Sequence, residues 1–180
     1  MISKSNTIKI KLNKLKITLI AFGSLLFVIF GIGISYKAGF KISSVNLFPI
    51  IIGTISIIFF GMALISMISK LFDQRPGLII SDKGIFDNSS AVGGQLIKWR
   101  DVSGFDITNI NNNVFILIFV QNPEEYLSNA NLFKKFWMKL NGKFYGTPLF
   151  VATKFLKCDS AELYITIQKE SEKYCAQQRV

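Results

Sequence analysis

The sequence predicts a membrane protein with a two-helix transmembrane hairpin followed by a mostly β domain, a small barrel or sandwich capped by a C-terminal α-helix. Two observations indicate the hairpin: residues 17–36 and 42–69 are stretches of twenty and twenty-eight residues without a charged side chain. In helical form, about 20 apolar residues cross the hydrocarbon core of a bilayer. A third observation indicates the domain: beyond residue 70, short apolar runs alternate with turn-forming residues, which is typical of antiparallel strands.

The first 69 residues predict the membrane topology. We assign residues 1–16 to a basic cytoplasmic N-terminus, 17–36 to the first span, 37–44 to an outer turn and 45–69 to the second span. Five lysines precede the first span, whereas only Lys37 and Lys41 lie between the spans. By the positive-inside rule, both termini face the cytoplasm. The expected location is therefore the bacterial cytoplasmic (inner) membrane, with a multi-pass chain and a cytoplasmic domain at 70–180.

The distribution of charge argues against a nucleic-acid partner. The net charge is +10, but residues 1–69 contain seven lysines and no acidic residue. Residues 70–180 therefore carry 14 basic and 11 acidic side chains, a net charge of only +3. A phosphate-binding domain needs a concentrated basic surface. The basic excess instead predicts membrane orientation and contact with anionic lipid headgroups, so the lipid bilayer is the first expected partner.

Two other interpretations of the first apolar stretch are weaker. A buried helix pair inside a soluble protein would need more surrounding chain than 180 residues provide. A cleaved signal peptide has an apolar run of about 7–15 residues followed by a small-residue cleavage site. The run at 17–36 is longer and no A-x-A site follows it. We therefore interpret it as an uncleaved anchor.

Four glycines predict where the two spans pack. With a turn centred near residue 42, Gly23 lies at the depth of Gly61 and Gly31 at the depth of Gly53. Small residues allow transmembrane backbones to approach closely, so both pairs are expected to face each other. Two glycines eight residues apart nevertheless differ by about 80° around a helix, which makes it harder for both pairs to meet.

The C-terminal two thirds of the chain predict several strands and one terminal helix. Asp159 and Glu162 are spaced as in a capping box, and the apolar residues behind them recur with helical periodicity, which predicts a helix over 160–176. The predicted strands are 78–81, 84–86, 95–99, 105–109, 114–121 and 148–155.

Two segments resemble a known family. Leu78–Asp87, with the sequence LIISDKGIFD, and Gly94–Ser103, with the sequence GQLIKWRDVS, are similar to the opening strands of bacterial pleckstrin-homology-like domains. In that family an L-x-I-x-x-x-G-I hairpin leads to an I-x-W-x-D-I strand end, and the resemblance covers about residues 70–175. A membrane hairpin before such a domain also resembles a group of small bacterial membrane proteins. The resemblance implies a seven-stranded, PH-like bent barrel with one capping helix, and it implies no catalytic residue.

An insert at 123–145 departs from the family pattern. Within it, Leu132, Phe133, Phe136, Trp137 and Leu140 share one helical face, and its charged residues after Glu125 are all lysines. Basic amphipathic helices with Trp and Phe often lie in the membrane interface. The alternative is that the aromatic face packs over the β domain, and the sequence leaves both open. The interface candidates are Lys134, Lys135, Phe136, Trp137, Lys139 and Lys143.

The residues that carry chemistry in other proteins form no recognisable site here. The chain contains no histidine, and Cys158 and Cys175 are expected to be free thiols in the cytosol. We predict no cofactor and no metal. The predicted function is a non-enzymatic, membrane-anchored module that holds its PH-like domain at the inner leaflet and binds lipid headgroups or an unidentified protein partner, with a homo-oligomer left open. The alternatives are a subunit of a channel or transport complex, or an enzyme that uses two of the carboxylates Asp82, Asp87, Asp101 and Asp106.

Overall fold

The computed structural model describes residues 7–39, 47–90 and 92–177 and divides into two compact units. One unit is Lys14–Gln74. The other combines residues 1–13 with Arg75–Val180, so it is discontinuous in sequence. The chain thus enters the β domain, leaves it for the helical unit and returns.

The helical unit consists of α1 (Lys14–Ala38) and α2 (Leu47–Phe72). Both helices are long and apolar enough to cross a membrane, which suggests membrane association. In the most apolar window of each helix, only 22% and 6% of the residues are buried. A core helix of a soluble protein would bury most of these side chains. Of the predicted outer turn at 37–44, residues 40–44 lie outside the described residues.

The two helices approach each other at one of the predicted glycine pairs. A Cβ atom on Gly31 would lie 2.9 Å from the Gly53 carbonyl oxygen, and one on Gly53 would lie 2.7 Å from the Gly31 carbonyl oxygen. By contrast, a Cβ on Gly23 or Gly61 would have no described atom within 4 Å, so the predicted Gly23–Gly61 contact is wrong. The angular offset between glycines eight residues apart explains why one pair meets and the other does not.

Polar and aromatic contacts join the same faces of the helices. The Ser56 hydroxyl donates to the Phe27 carbonyl at 3.2 Å, and the rings of Phe27 and Phe60 stack with centroids 4.3 Å apart. At the other end, the Lys14 ammonium donates to the Leu71 carbonyl at 2.8 Å. A cation at the C-terminal end of a helix satisfies a carbonyl that has no partner within the helix and opposes the helix dipole.

The first sheet has four antiparallel strands in the order β1-β2-β3-β4. Its strands are β1 (Ile8–Ile10), β2 (Leu78–Ser81), β3 (Gly84–Asp87) and β4 (Gln95–Lys98). The sequence predicted the last three strands but not β1, which was assigned to the basic N-terminus. Ile8 is the direct partner of Ile80, although the whole helical unit lies between them in the sequence. A strand on the N-terminal side of the helical unit is therefore part of the domain on its C-terminal side.

The second sheet has three antiparallel strands in the order β5-β6-β7. They are β5 (Val102–Ile110), β6 (Asn113–Val120) and β7 (Leu149–Ala152). Asn111 and Asn112 have φ angles of 49° and 60° in the β5–β6 hairpin. Asparagine tolerates this left-handed region better than most residues, and two positive φ angles characterise the type I′ turn that suits a two-residue hairpin.

The two sheets do not form the closed barrel that the family resemblance implied. No ladder between the described strands joins the two sheets. β7 ends at Ala152 in a 3-10 turn at Thr153–Phe155, and only an isolated bridge follows, between Leu12 and Leu156. A 3-10 turn thus follows β7, and the described residues show no ladder from β7 to the first sheet. The domain is consequently two antiparallel sheets with a C-terminal helix.

Alternating residues of both sheets form the core. On β6, Ile116 and Ile118 are completely buried, and on β2 Leu78 and Ile80 are almost completely buried. A hydrogen-bonded link also joins the sheets: the Ser89 hydroxyl donates to Asp87 Oδ1 at 2.6 Å and accepts from the Ala152 amide at 2.8 Å. Further apolar residues of this core include Leu12, Ile85, Ile97, Trp99, Leu149, Val151, Leu156, Leu163 and Ile167.

Three helices complete the domain: α3 (Pro123–Ser128), α4 (Leu132–Tyr145) and α5 (Ser160–Gln177). The observed α5 agrees with the predicted C-terminal helix. Asp159 Oδ1 accepts the amides of Ala161 and Glu162 at 2.9 and 3.0 Å, as an N-cap carboxylate does. The hydrogen bonds from the amides of Glu162 and Ala161 hold the pKa of Asp159 below its ordinary value.

Candidate membrane-interface helix

The insert between β6 and β7 forms the well-capped helix α4. Asn131 caps its start, since its side-chain oxygen accepts from the Lys134 amide at 2.9 Å. Gly146 ends it with a φ of 76°, and its amide donates to the Gly142 carbonyl at 3.0 Å. An Asn N-cap and a glycine in the left-handed region are common helix boundaries, so local signals fix where this helix begins and ends.

One side of α4 holds the helix on the domain. Met138 is completely buried, and Gln95 of β4 approaches its sulfur at 4.0 Å. Lys134 Nζ donates to the Gly93 carbonyl at 2.6 Å. Further along, Asn141 and Tyr145 border a cavity against the second sheet. The residues at 134, 138, 141 and 145 recur every three or four positions, so they form one continuous stripe that faces the β domain.

The opposite side of α4 presents large apolar side chains outward. Leu132, Phe136 and Phe144 are 88%, 62% and 68% exposed, and Phe133 is also exposed. The ring of Trp137 is edge-on to Phe136 and Phe133, with centroids 5.6 and 6.3 Å apart. The aromatic residues thus contact one another; Trp137 is half-buried, whereas Phe133, Phe136 and Phe144 are exposed. A contiguous exposed apolar patch of this kind usually marks a surface that meets a membrane or a partner.

The charged residues of α4 are all lysines. Lys139 and Lys143 are exposed and Lys135 is half-buried. No acidic residue occurs between Tyr126 and Cys158. Lys134 must be removed from the predicted interface set, because its ammonium group binds a backbone carbonyl on the inner side of the helix. We define the outer surface of α4 as Leu132, Phe133, Phe136, Trp137, Lys139, Lys143 and Phe144.

The hydrophobic periodicity predicted the aromatic face of α4 but not whether this face points towards the β domain or away from it. The sequence of β6 contains a signal that the outer face of the second sheet is covered. β6 contains the uninterrupted apolar run Val114–Val120. A strand with a solvent-facing side alternates apolar and polar residues, whereas a continuous apolar run indicates a strand that is covered on both faces. Leu117, on the face away from the core residues Ile116 and Ile118, is itself buried. α4 supplies part of the cover on that side.

The carboxylates considered for catalysis have structural partners or lie in turns. Asp87 accepts from the amide and hydroxyl of Ser89. Asp101 accepts the hydroxyl of Tyr126 at 2.7 Å, and Tyr126 accepts the Lys98 amide at 3.2 Å. Burial, followed by the hydrogen bond to Asp101, raises the pKa of Tyr126 to about 12.

The remaining two carboxylates are exposed. Asp106 accepts the adjacent Ile107 amide at 2.8 Å, and Asp82 lies in the turn between β2 and β3. Aspartates commonly occupy such turns or accept a neighbouring backbone amide in this way. Among the described residues, no group of three or more Cys, Asp or Glu side chains is arranged to hold a metal ion.

Comparison of the chain with protein-family models, with curated proteins and with solved structures finds no match.

Proposed function

We propose that this chain is a membrane-anchored, non-enzymatic interaction module whose domain binds lipid headgroups at the inner leaflet through the outer surface of α4. The observation that carries the proposal is the exposed row of Leu132, Phe136 and Phe144 beside Lys139 and Lys143. Apolar side chains on one side of a helix and lysines along its edge match the two layers of a membrane interface, hydrocarbon and anionic headgroup.

The strand pairing supports a hairpin of two spans. β1 precedes α1, β2 follows α2, and these two strands are hydrogen-bonded neighbours. If one helix crossed a bilayer and the other did not, β1 and β2 would lie on opposite sides of it and could not pair. Both helices therefore span together or neither spans. The positive-inside rule then favours a cytoplasmic domain and cytoplasmic termini in a bacterial inner membrane.

The strand content supports a PH-like relationship as part of the proposal. The strand count equals the seven that the resemblance implied, although β1 comes from before the helical unit, outside the segment that the resemblance covers, and the sheets stay open. We do not extend the proposal to catalysis, because Asp87 and Asp101 are engaged by Ser89 and Tyr126 in structural hydrogen bonds. A fold of this kind serves as a scaffold, and its function must be argued from its surface.

The proposal is tested with the full chain in lipid nanodiscs. A nitroxide is attached at Phe136→Cys in a background in which Cys158 and Cys175 are changed to Ser, and a second sample carries it at Glu172→Cys, which is exposed on α5. Electron paramagnetic resonance then compares collisions with oxygen, which concentrates in hydrocarbon, and with a water-soluble nickel chelate. We expect the label at position 136 to favour oxygen and the label at 172 to favour nickel.

A charge-matched pair of variants tests the headgroup contact. Lys139→Glu together with Lys143→Glu is expected to lower the oxygen accessibility at position 136 in nanodiscs with anionic lipid. Lys154→Glu together with Lys157→Glu changes the charge equally at exposed sites of the same domain and is expected to leave that accessibility unchanged. Nickel accessibility at 136 equal to that at 172 would reject membrane docking. A label at 136 shielded from both reagents would instead favour a protein partner.

A further inference from the structure

A cavity of about 160 Å³ separates α4 from the second sheet. Its walls are mostly apolar, with Ile110 from β5, Phe115 and Leu117 from β6 and Phe150 from β7. Phe115 and Phe150 meet edge-on with their ring centroids 5.5 Å apart. Because the core residues Ile116 and Ile118 are on the other face of β6, this cavity lies outside the core, on the outer face of the sheet.

Three polar residues complete the lining: Thr108 from β5, and Asn141 and Tyr145 from α4. Within the described residues, the side-chain groups of these three residues, two hydroxyls and the carboxamide of Asn141, form no hydrogen bond. All three residues retain access to solvent. The cavity is thus a partly open apolar space with hydrogen-bonding groups in its wall, as small-molecule sites commonly are.

The geometry points to this cavity as a site for the end of a hydrocarbon chain from a bilayer phospholipid. An apolar cavity of about 150 Å³ is large enough to hold a benzene-sized molecule and too small for a lipid headgroup with its water. Several terminal carbons of an acyl chain match that volume and the apolar wall formed by Ile110, Phe115, Leu117 and Phe150.

The source of the chain follows from the position of α4, and at this step the inference rests on the proposed function. Tyr145 lines the cavity, while its neighbour Phe144 belongs to the outer surface of α4. If that surface lies at the boundary between headgroups and acyl chains, lipid tails are the most concentrated apolar ligand near the cavity. Entry of one chain would fix α4 to its own bilayer from both sides of the helix.

Photolabelling of the full chain tests the inference. Nanodiscs contain a trace of a phosphatidylcholine that carries a diazirine near the end of one acyl chain, and labelled peptides are identified by mass spectrometry after illumination. We expect label on the peptides that contain Phe115 and Phe150, in addition to the label on α1 and α2 that serves as the internal control.

Two neighbouring substitutions provide a matched comparison. Thr108→Trp places a large side chain into the cavity, whereas Ile107→Trp puts the same side chain on the other face of the same edge strand, where Ile107 is 39% exposed. The label on Phe115 and Phe150 peptides should be lost in Thr108→Trp and kept in Ile107→Trp. Equal label in both variants, or labelled α1 and α2 with unlabelled β6 and β7, overturns the inference.

The outcomes separate this inference from the proposed function. Membrane accessibility at position 136 with no label in the cavity refutes the lipid-chain site and leaves the docking of α4 intact. A diazirine-bearing free fatty acid is tested in parallel. Labelling of the cavity by the fatty acid and not by the phospholipid overturns the assignment to a bilayer lipid and identifies a soluble source of the same hydrocarbon chemistry.

Discussion

Leu12 provides a direct test of whether the segment before the two long helices belongs to the domain that follows them. This leucine is 5% exposed, and a Cβ atom built on Gly77 would lie 2.9 Å from its Cδ2. Its neighbours are fixed by backbone hydrogen bonds, from Lys157 to the Lys11 carbonyl at 3.0 Å and from Asn13 to the Phe155 carbonyl at 2.7 Å. Truncation to alanine would thus leave a cavity in a site whose backbone is held in place.

The expected cost of Leu12→Ala is about 3 kcal/mol, since buried Leu→Ala substitutions typically cost about 2–5 kcal/mol. With a urea dependence of about 2 kcal/mol per M, the unfolding midpoint of the domain should fall by about 1.5 M. Leu15→Ala is the matched control, because Leu15 is the same residue type three positions later and is 71% exposed on α1. Its midpoint should stay at the wild-type value.

The assay follows urea unfolding of the detergent-solubilised full chain by the fluorescence of Trp99, with Trp137 changed to Phe. Trp99 is buried, and its indole donates to the Ser81 carbonyl at 2.7 Å, so its emission reports the first sheet. A midpoint for Leu12→Ala within error of that for Leu15→Ala would refute the assignment of the N-terminal segment to the domain. A fragment that begins near residue 70 would lack β1 and Leu12 and is expected to be unstable for the same reason.

Three further predictions follow from single contacts. Gly53→Val should disrupt the hairpin, because the added carbons meet the Gly31 backbone and the Ser35 hydroxyl, whereas Gly61→Val should leave the hairpin intact. Disulfide formation between cysteines placed at positions 27 and 60 measures the difference between the two variants. The pKa of Tyr126 is raised from 10.0 to about 12, so its neutral form stabilises the fold fully below pH 10, and this stabilisation is lost between pH 10 and about 12. In urea titrations, the Tyr126→Phe variant should be less stable than the wild type by about 1–2 kcal/mol at neutral pH and should lack this alkaline loss of stability. Burial and the nearby Asp159 and Glu162 raise the pKa of Cys158, while Cys175 is exposed, so maleimide should modify Cys175 faster, as peptide mass spectrometry would show.

The sequence was informative where one local pattern determined one element. The uncharged stretches predicted both long helices, and the boundaries of β2 at Leu78–Ser81 agree with the predicted strand. Asp159 predicted the start of α5, because the capping hydrogen bonds depend on residues within three positions of it. In each case the interaction that defines the element is made by near neighbours in sequence.

Elements that depend on distant partners were missed or wrongly predicted. β1 is only three residues long, and its partner strand β2 lies beyond both helices in the sequence. The lysines around β1 therefore indicated a basic N-terminus and not a strand. The implied barrel stays open: β7 ends in the 3-10 turn Thr153–Phe155, and the described strands form no ladder between the two sheets. Gly23 failed as a packing site because matching depth does not fix the rotation of a helix about its axis.

Periodicity alone could not predict whether the aromatic face of α4 packs on the β domain or points outward. An amphipathic pattern identifies an apolar face, and in a globular protein that face normally packs on the core. Here the stripe that faces the β domain instead contains Lys134, Met138 and Asn141, of which Met138 is fully buried. A hydrogen bond from Lys134 to a carbonyl and a sulfur contact at Met138 hold this stripe on the domain. Packing within the domain therefore accounts for the mixed stripe, while Leu132, Phe136 and Phe144 on the other side stay 62–88% exposed. Water is a poor environment for so many apolar side chains, and a surface made of phenylalanine and lysine matches a lipid interface in both of its components.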